Sequence, residues 1–304
     1  MPARSPMPEP CPPHLGLVCI THTEDVRFKT ITRTRLLQLP PALRALRLRD
    51  LYAENILRLH GAIRYCQTHG IRLYRLSSGL FPGCDEPPGG EVLATFAAEL
   101  ATIGQAATTA GIRLVMHPDQ FVVLSSDDPA IVTMGIGILE RLAWQLDLLG
   151  QPRSPWAAME LHGGKGDRAR QLATVIASLP PAIRKRLVLE NDERAYSAAE
   201  ILAVCEATDT PMVFDAHHHI VHDQLDSYDH PSVADYLAAA RQTWPDPAWQ
   251  LVHISNGRSA FGDRAHSDLI TAMPAAFQAA PWIEVEAKHK EVAIAGLRRE
   301  WLTR

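Results

Sequence analysis

The fold is decided in RLVLENDERAYSAAEILAVCEATDTPMVFDAH (186–217), where two short apolar runs, RLVLEND and PMVFDAH, each end in polar residues. A run of roughly four to eight apolar residues rich in β-branched side chains is typical of a buried strand. The segment between the two runs is long enough for a helix, and strands that alternate with helices at this spacing indicate parallel βαβ units. The stretch therefore predicts an α/β fold whose parallel strands carry polar side chains at their carboxyl ends.

The same unit recurs along the whole chain. Between the apolar runs lie segments with the apolar spacing of helices, such as 51–70, which ends at a capping Gly70. Eight strand–helix units in 304 residues fit one closed (β/α)8 TIM barrel, and an open doubly wound sheet is the structural alternative. The strand candidates are LGLVCI (15–20), RLYRLSS (72–78), RLVMHP (113–118), AAMELHG (157–163), RLVLEND (186–192), PMVFDAH (211–217), LVHISNG (251–257) and WIEVEAK (282–288).

Composition limits the class of protein and its compartment. The five cysteines are odd in number and form no CxxC pair, which argues against a secreted disulfide framework or a zinc ribbon and favours a reducing cytoplasm. No apolar run approaches the roughly 18 residues of a membrane span, and the N-terminus lacks the features of a signal peptide. Residues 1–14 contain six prolines and predict a disordered tail, so that 15–304 form a single barrel domain.

The distribution of charge is more informative than its sum. A net charge of −4 argues mildly against nucleic acid, because DNA-binding domains usually carry a basic surface. A basic stretch without any acidic residue nevertheless runs over 27–49, either as an ordinary solvated surface or as a set of phosphate contacts. Its basic residues are Arg27, Lys29, Arg33, Arg35, Arg44, Arg47 and Arg49.

Each strand candidate is apolar through its body and becomes polar at its end. The carboxyl ends of barrel strands meet at one rim, where the catalytic residues of such barrels lie, so these side chains are expected to converge. A single His or carboxylate there has ordinary structural explanations, but the whole set is costly to bury without a cation. The polar side chains at the strand ends are His117, Glu160, His162, Glu190, Asn191, Asp192, Asp215, His217, His218, His219, His253, Glu286 and Lys288.

This set of side chains predicts a metal cluster. Mixed imidazole and carboxylate ligands favour Zn, Mn or Fe(II) over Ca. The candidates outnumber the ligands of one tetrahedral zinc, so two or three ions are expected, an arrangement suited to phosphoryl transfer. Strand parity places Glu284 and Glu286 on the same face, and Glu286 is the better ligand because it lies nearer the rim. Parity also places His217 rather than His218 on the face of Asp215.

Several segments together resemble the UV damage endonucleases, which belong to the superfamily of xylose-isomerase-like barrels. The similarity runs in order from about Leu15 to the C-terminus, and LENDER and MHP-x-QF are specific in combination. The segments that carry it are VRFKTITRTRLL (26–37), GIRLYRLSSGLFP (70–82), MHPDQF (116–121), LENDER (189–194), DAHHH (215–219), VHIS (252–255), RAHSD (264–268) and VEAKHKE (285–291).

The resemblance implies a DNA repair endonuclease that nicks DNA immediately 5′ of pyrimidine dimers and related lesions by metal-activated hydroxide, which initiates excision repair. Its cofactor would be two or three divalent ions, Mn2+ first, with Zn2+ or Mg2+ as other candidates. By motif position, the first ion would be bound by His117, His162 and Glu190, the second by Glu190, Asp215, His253 and Glu286, and the third by His218 and His266. The catalytic residues would be Glu190, Glu286 and Lys288.

Two positions require a choice or depart from the family. The family favours His218 where strand parity favours His217, and we follow the family because parity lapses if the strand ends at Asp215. The family carries a Lys near the metals where this chain has Leu251, which affects the expected fine catalytic tuning.

The resemblance also implies contacts with DNA. Gln120 and Phe121 match a Gln-Tyr pair that probes the lesion, and Phe keeps the stacking face of Tyr; a buried loop anchor is the other interpretation of Phe121. Phosphate contacts are expected from the basic stretch and from the strand-end loops. The candidate DNA-binding residues are Gln120, Phe121, Arg27, Lys29, Arg33, Arg35, Lys165 and Arg194.

The expected partner is damaged double-stranded DNA. The protein is expected to act as a monomer without an obligate protein partner or a membrane, in the cytoplasm and in association with the nucleoid. The alternative functions are a metal-dependent sugar isomerase or epimerase on the same barrel and a damage-binding protein without catalysis. The basic stretch and the His218/His266 pair count against the isomerase.

Overall fold

The computed structural model describes residues 12–119 and 121–303, and its eight parallel strands close into a barrel. The strands pair in chain order, and the first pairs with the last, so the fold is the predicted (β/α)8 barrel rather than an open sheet. The strands are β1 (His14–Val18), β2 (Leu73–Leu76), β3 (Arg113–Met116), β4 (Met159–His162), β5 (Leu187–Glu190), β6 (Met212–Asp215), β7 (Leu251–Ile254) and β8 (Trp282–Val285).

The helices surround the barrel and follow the strands in the chain. The longest, α2, begins at Pro41, directly after a proline that fixes the entry of the chain, and ends at Thr68. Within the part of the chain that the structure describes, three 3-10 helices span Pro155–Ala157, Pro247–Trp249 and Ala275–Ala279. The α-helices are α1 (Arg33–Leu37), α2 (Pro41–Thr68), α3 (Gly89–Ala94), α4 (Ala97–Thr109), α5 (Pro129–Leu148), α6 (Ala169–Ser178), α7 (Pro181–Arg184), α8 (Ala198–Thr208), α9 (Ala216–His222), α10 (Pro231–Gln242) and α11 (Lys290–Glu300).

The start of the barrel differs slightly from the prediction. We expected the folded part to begin at Leu15, but His14 is already in β1, where its N–H donates to the carbonyl of Pro281. The predicted disordered tail falls mainly on residues 1–11, which lie outside the described residues, so that interpretation stays a prediction.

The barrel interior is filled in layers by alternate residues of each strand. Leu251 belongs to a lower, apolar layer and is fully buried with Val115, Val188 and Val213. Two residues further along β7, His253 lies level with Glu284 of β8 in the next layer up. The position where the family carries a Lys therefore faces an apolar layer below the polar rim.

Arg113 closes the opposite end of the barrel. Its guanidinium donates to the carbonyls of Pro155, Trp156 and Trp249, at 2.8 to 2.9 Å. It also lies 5.0 Å from the ring centre of Trp156, a cation–π distance. These contacts stabilise a buried cation far from the polar rim.

The cysteines within the described residues are free thiols. Burial raises the pKa of Cys66 to about 12, so this thiol is protonated and inert near neutral pH. Among the described helices, none is both long enough and apolar enough to cross a membrane.

Candidate metal centre

Glu190 lies at the centre of the polar rim. It is the last residue of β5, and alternation along the strand turns it inward above Val188. Its side chain is 1% exposed. The residue is therefore a buried carboxylate at the carboxyl end of the barrel, where active sites of this fold lie.

Four imidazoles from other elements surround the Glu190 carboxylate. His253 Nδ1 lies 2.9 Å from Oε1, and His218 Nδ1 lies 3.4 Å from the same oxygen. His117 Nε2 and His162 Nε2 lie 3.0 and 3.7 Å from Oε2. The predicted convergence of strand ends thus brings these five side chains together.

The charges of these groups reinforce one another. Burial opposes ionisation of Glu190, but His253 and His162, together with hydrogen bonds from two further His, hold the pKa of its carboxyl well below the usual range. Burial likewise opposes charge on His253, but Glu190 and Glu284 raise the pKa of this imidazole well above its usual value. Without a bound cation, the protons of those imidazoles whose pKa is raised, His253 among them, therefore compensate the carboxylates.

Asp215 and Glu286 extend the set on the side of β6 and β8. Asp215 ends β6, caps α9 by accepting the N–H of His218 at 2.7 Å, and leaves Oδ2 directed at the same imidazole, 3.8 Å away. Glu286 Oε1 lies 3.8 Å from His253 Nδ1. These side chains form three groups of possible metal ligands. Within each group, the ligand atoms all lie within 4.8 Å of one another. The groups are His117/His162/Glu190, Glu190/Asp215/His218 and Asp215/His253/Glu286.

The residues at the rim fit divalent ions by a further observation. Among the described residues, buried Asp215 Oδ2 and His162 Nδ1 have no hydrogen-bond partner. Unpaired buried polar atoms are costly, and a bound cation would satisfy the carboxylate oxygen. Imidazole nitrogens and carboxylate oxygens are the donors that Zn, Mn and Fe(II) prefer.

The structure separates His217 from His218. β6 ends at Asp215 and α9 begins at Ala216, so strand parity no longer applies beyond this point. His218 faces Glu190, whereas His217 Nδ1 lies 2.6 Å from the hydroxyl of Tyr228 and its Nε2 lies 2.9 Å from the carbonyl of Asp263. The geometry therefore supports the choice of His218 over His217, and its role as a ligand stays a prediction.

Replacing His218 with Ala is expected to lower the affinity for metal by about 100-fold or more, because an imidazole beside Glu190 and Asp215 is lost. Replacing His217 with Ala is expected to leave the number of bound ions unchanged and to lower the melting temperature, because its two hydrogen bonds are structural. Metal content after dialysis and thermal unfolding of both variants check this. Equal loss of metal from the two would contradict the choice of His218.

His266 approaches the site from the long β7–β8 connection. Its Nδ1 lies 3.9 Å from Glu286 Oε2. The neighbouring Arg264 forms an ion pair with Glu193, with Nη2 2.7 Å from Oε1, and Glu193 Oε2 lies 3.9 Å from His218 Nε2. This pair ties the loop of His266 to the β5–α8 loop beside His218.

The predicted catalytic Lys288 is exposed, and its backbone N–H donates to the carbonyl of Ser267. Its side chain has no hydrogen bond or ion pair within the described part of the chain, and its catalytic role stays a prediction. Lys290, two residues further, is half-buried, and burial lowers the pKa of its ammonium. No sequence pattern distinguished the two, because β8 ends at Val285 and the chain turns before α11.

Comparison with known proteins decides the family. The family model described as UV-endonuclease UvdE matches residues 13–303. The chain belongs to this family. It is 58% identical to a UV DNA damage endonuclease of Nostoc sp. over 95% of this chain and 91% of that protein. It is 53% identical to a UV DNA damage endonuclease of Deinococcus radiodurans over 94% of this chain and 95% of that protein.

Solved structures agree with the UvdE assignment. The crystal structure of SacUVDE superposes with a TM-score of 0.78 at 25% identity and covers 94% of this chain and 98% of its own. A D-tagatose 3-epimerase-like protein has a TM-score of 0.56 at 10% identity and covers 79% of this chain and 91% of its own, which shows a shared barrel only. The predicted family is therefore confirmed, and the sugar isomerase alternative has no support beyond the fold.

A groove lies beside the candidate metal-binding groups of this UvdE chain. It has a volume of about 400 Å3 and is lined by His117, His162 and Asp192 on the side of the rim. Lys165 and Arg194 line its other side. Lys165 pairs with Asp127, whereas Arg194 is exposed.

The remaining candidate DNA contacts lie in different surroundings. Phe121 is 66% exposed, so it is not a buried loop anchor.

Arg33 Nε pairs with Glu86 Oε1 at 2.6 Å, and Arg27 donates to backbone carbonyls. Lys29 and Arg35 are exposed. Gln120, the first residue of the probing pair, lies outside the described residues, and none of these DNA contacts is tested.

Arg75 is the principal residue of the site that sequence reasoning missed. It occupies an interior position of β2, and its Nη1 lies 2.6 Å from Glu286 Oε1. A charged residue between apolar neighbours in a short buried strand was the available signal, since such a residue must find a partner inside.

Proposed function

We propose that this UvdE chain is a metal-dependent endonuclease that nicks damaged DNA on the 5′ side of UV photolesions. The observation that carries the proposal is the buried Glu190 carboxylate, which lies within 3.7 Å of four imidazoles at the carboxyl rim of the barrel. Such a set holds cations, and divalent ions at one site suit the hydrolysis of a phosphodiester.

The ligand groups of the rim suggest how many ions it holds. The three groups share Glu190 and Asp215 between them, an arrangement that suits at least two neighbouring divalent ions. A third ion would use His218 and His266 at the outer edge, and Mn2+ is the first choice of metal.

The residues of this chain act by holding and orienting. When bound, divalent ions would supply the Lewis acidity that activates water and stabilises charge on the scissile phosphate. Glu190, shared between two ligand groups, would keep neighbouring ions close together. Lys165 and Arg194 would position the DNA backbone along the groove beside His117 and His162.

Phe121 would act on the duplex rather than on the metals. An exposed aromatic ring beside the groove can insert between bases and favour sites where a lesion has already weakened stacking. Replacing Phe121 with Ala is expected to reduce nicking of irradiated DNA by about 10-fold or more, a loss typical of one stacking contact.

Measuring nicking and metal content of Phe121→Ala beside Phe121→Tyr checks this role. The Tyr variant keeps the stacking face and should nick within about twofold of the parent. Metal content should be unchanged in both. Full activity of the Ala variant would contradict insertion of this ring.

The function itself is tested with supercoiled plasmid. The protein loaded with Mn2+ should convert UV-irradiated plasmid to the nicked form and leave unirradiated plasmid largely intact. Mapping the break on an oligonucleotide with one dimer should place it immediately 5′ of the lesion, with a 3′-hydroxyl. Absence of nicking above the unirradiated control with Mn, Mg, Zn and Co would overturn the proposal.

We further propose that the protein acts as a monomer on double-stranded DNA in the cytoplasm, in contact with the nucleoid. Analytical ultracentrifugation of the active protein tests the first point: a dimer that persists at nanomolar concentration would overturn it.

A further inference from the structure

A second layer of charged side chains lies directly beneath the metal centre. It consists of Arg75 from β2, Glu160 from β4 and Glu284 from β8. Both Glu residues are 0% exposed and Arg75 is 7% exposed. Three charged side chains are thus enclosed in the barrel, one layer below Glu190.

Glu160, His253 and Glu284 form a fourth group with the spacing of metal ligands. One possible ligand atom from each lies within 4.8 Å of the other two. His253 Nε2 lies 3.3 Å from Glu160 Oε2 and 3.1 Å from Glu284 Oε2. By residue type and distance alone, this group resembles the three groups at the rim.

The guanidinium of Arg75 already lies among these atoms. Its Nη2 is 3.1 Å from His253 Nε2 and 3.4 Å from Glu160 Oε2, and it contacts Glu284 as an ion pair. Arg keeps its charge inside proteins, and buried carboxylates require such a counter-charge. The chain itself therefore supplies a cation to the fourth group through ion pairs, while the oxygens of Glu160 and Glu284 have no hydrogen-bond partner among the described residues.

Arg75 also connects this layer with the rim. Its second nitrogen, Nη1, lies 2.6 Å from Oε1 of Glu286. His253 faces the lower layer with Nε2, while its Nδ1 lies 2.9 Å from Glu190 Oε1. A carboxylate on one ring nitrogen fixes the orientation of an imidazole whose other nitrogen faces a metal.

We propose that Arg75 is a positioning residue, a cation fixed in a fourth metal-like donor group, which orients His253 and Glu286 toward the ions above them. The inference rests on the proposed metal-dependent function. We also expect the fourth group to accept a metal ion once the Arg75 guanidinium is removed. Its two carboxylates and its imidazole then lack a counter-charge.

Counting metal on Arg75→Ala tests the inference. Each protein is loaded with Mn2+, dialysed, and assayed for Mn per chain by inductively coupled plasma mass spectrometry. The variant should hold one ion more than the parent. Its nicking should fall by about 10- to 100-fold, as expected when the partner of a metal-binding His is lost. Added guanidinium ion should restore part of the activity and displace the extra ion.

Arg186→Ala is the matched control, because Arg186 is also fully buried but donates to backbone carbonyls and pairs with Asp147, away from the charged layer. It should keep the parent's metal count and show no response to guanidinium. Arg75→Lys serves if the Ala variant does not fold. The Lys variant should keep the parent's metal count but lose activity, since one ammonium cannot contact Glu286 and His253 as two guanidinium nitrogens do.

These measurements distinguish a failure of the inference about Arg75 from a failure of the proposed function. An unchanged metal count in Arg75→Ala without guanidinium rescue, or full activity in Arg75→Lys, overturns the inference while the proposed function stands. A parent protein that neither binds metal nor nicks irradiated DNA overturns the proposed function, and the inference with it.

Discussion

Replacing Glu190 with Gln is expected to reduce nicking of UV-irradiated plasmid by about a thousandfold or more, while the protein stays folded. The substitution keeps the volume of the side chain and removes the charge that lies within 3.7 Å of four imidazoles. Glu190 belongs to two of the ligand groups, so ions in both would be weakened together. Losing one preorganised electrostatic group typically costs about 100- to 1,000-fold in rate, and a shared metal ligand should lie at the upper end.

The same chemical change at Glu206 provides the control. Glu206 lies on α8, is exposed, and lines a surface groove that contains none of the rim residues. Glu206→Gln should therefore nick at the parent rate and hold the parent amount of metal. Activity of Glu190→Gln within about 10-fold of the parent would contradict the central place of this carboxylate.

Removing the metal is expected to abolish nicking and to lower the melting temperature by about 5 °C or more. A ligand present at about 100 times its dissociation constant stabilises the folded state by about 2.7 kcal/mol. In a chain of 304 residues, this corresponds to a shift of roughly 4 °C for one ion and about 8 °C for two. Chelation followed by dialysis, with thermal scans before and after Mn2+ is restored, measures the change.

The size of this shift should depend on pH in a defined direction. In the metal-free protein, the pKa values of His218 and His253 are raised well above the usual value, for His218 mainly by Asp215 and for His253 mainly by Glu190, against the effect of burial. Their contribution to stability is complete below the unfolded pKa of about 6.5 and is lost as pH rises through the higher folded values. Metal binding has the opposite dependence, because ligating imidazoles must be neutral.

The difference in melting temperature between loaded and metal-free protein should therefore widen from about pH 6 to about pH 8. The Glu190→Gln variant supplies the comparison, since its response to Mn2+ should be much smaller at every pH. A difference that narrows as pH rises would show that neutral imidazoles do not bind the metal.

Much of the barrel could be predicted because its strands are short and their pattern is local. All eight β-strands lie within the runs predicted from β-branched composition, apart from His14 at the start of β1. The convergence of His117, Glu190 and His253 followed from topology alone, since parallel strands in a closed barrel place their carboxyl ends at one rim.

The choice between neighbouring residues could not be made from periodicity. Strand parity favoured His217, but β6 ends at Asp215 and α9 begins at the next residue, which turns His218 toward Glu190. The resemblance to the family predicted His218 because it matches residues by their place in a sequence motif and does not depend on strand periodicity. Lys288 shows the same limit at the end of β8, where parity ceases and the side chain is exposed.

The sequence by itself determined the composition of the rim: which residue types end the strands, and hence that imidazoles and carboxylates meet there. Only the tertiary structure decided what lies beneath it, because contacts between β2, β4, β7 and β8 depend on the closure and register of the barrel. It placed Leu251 in an apolar layer and Arg75 against His253 and Glu286. A buried charge requires a partner, but the sequence does not tell which of several carboxylates the fold will bring within reach.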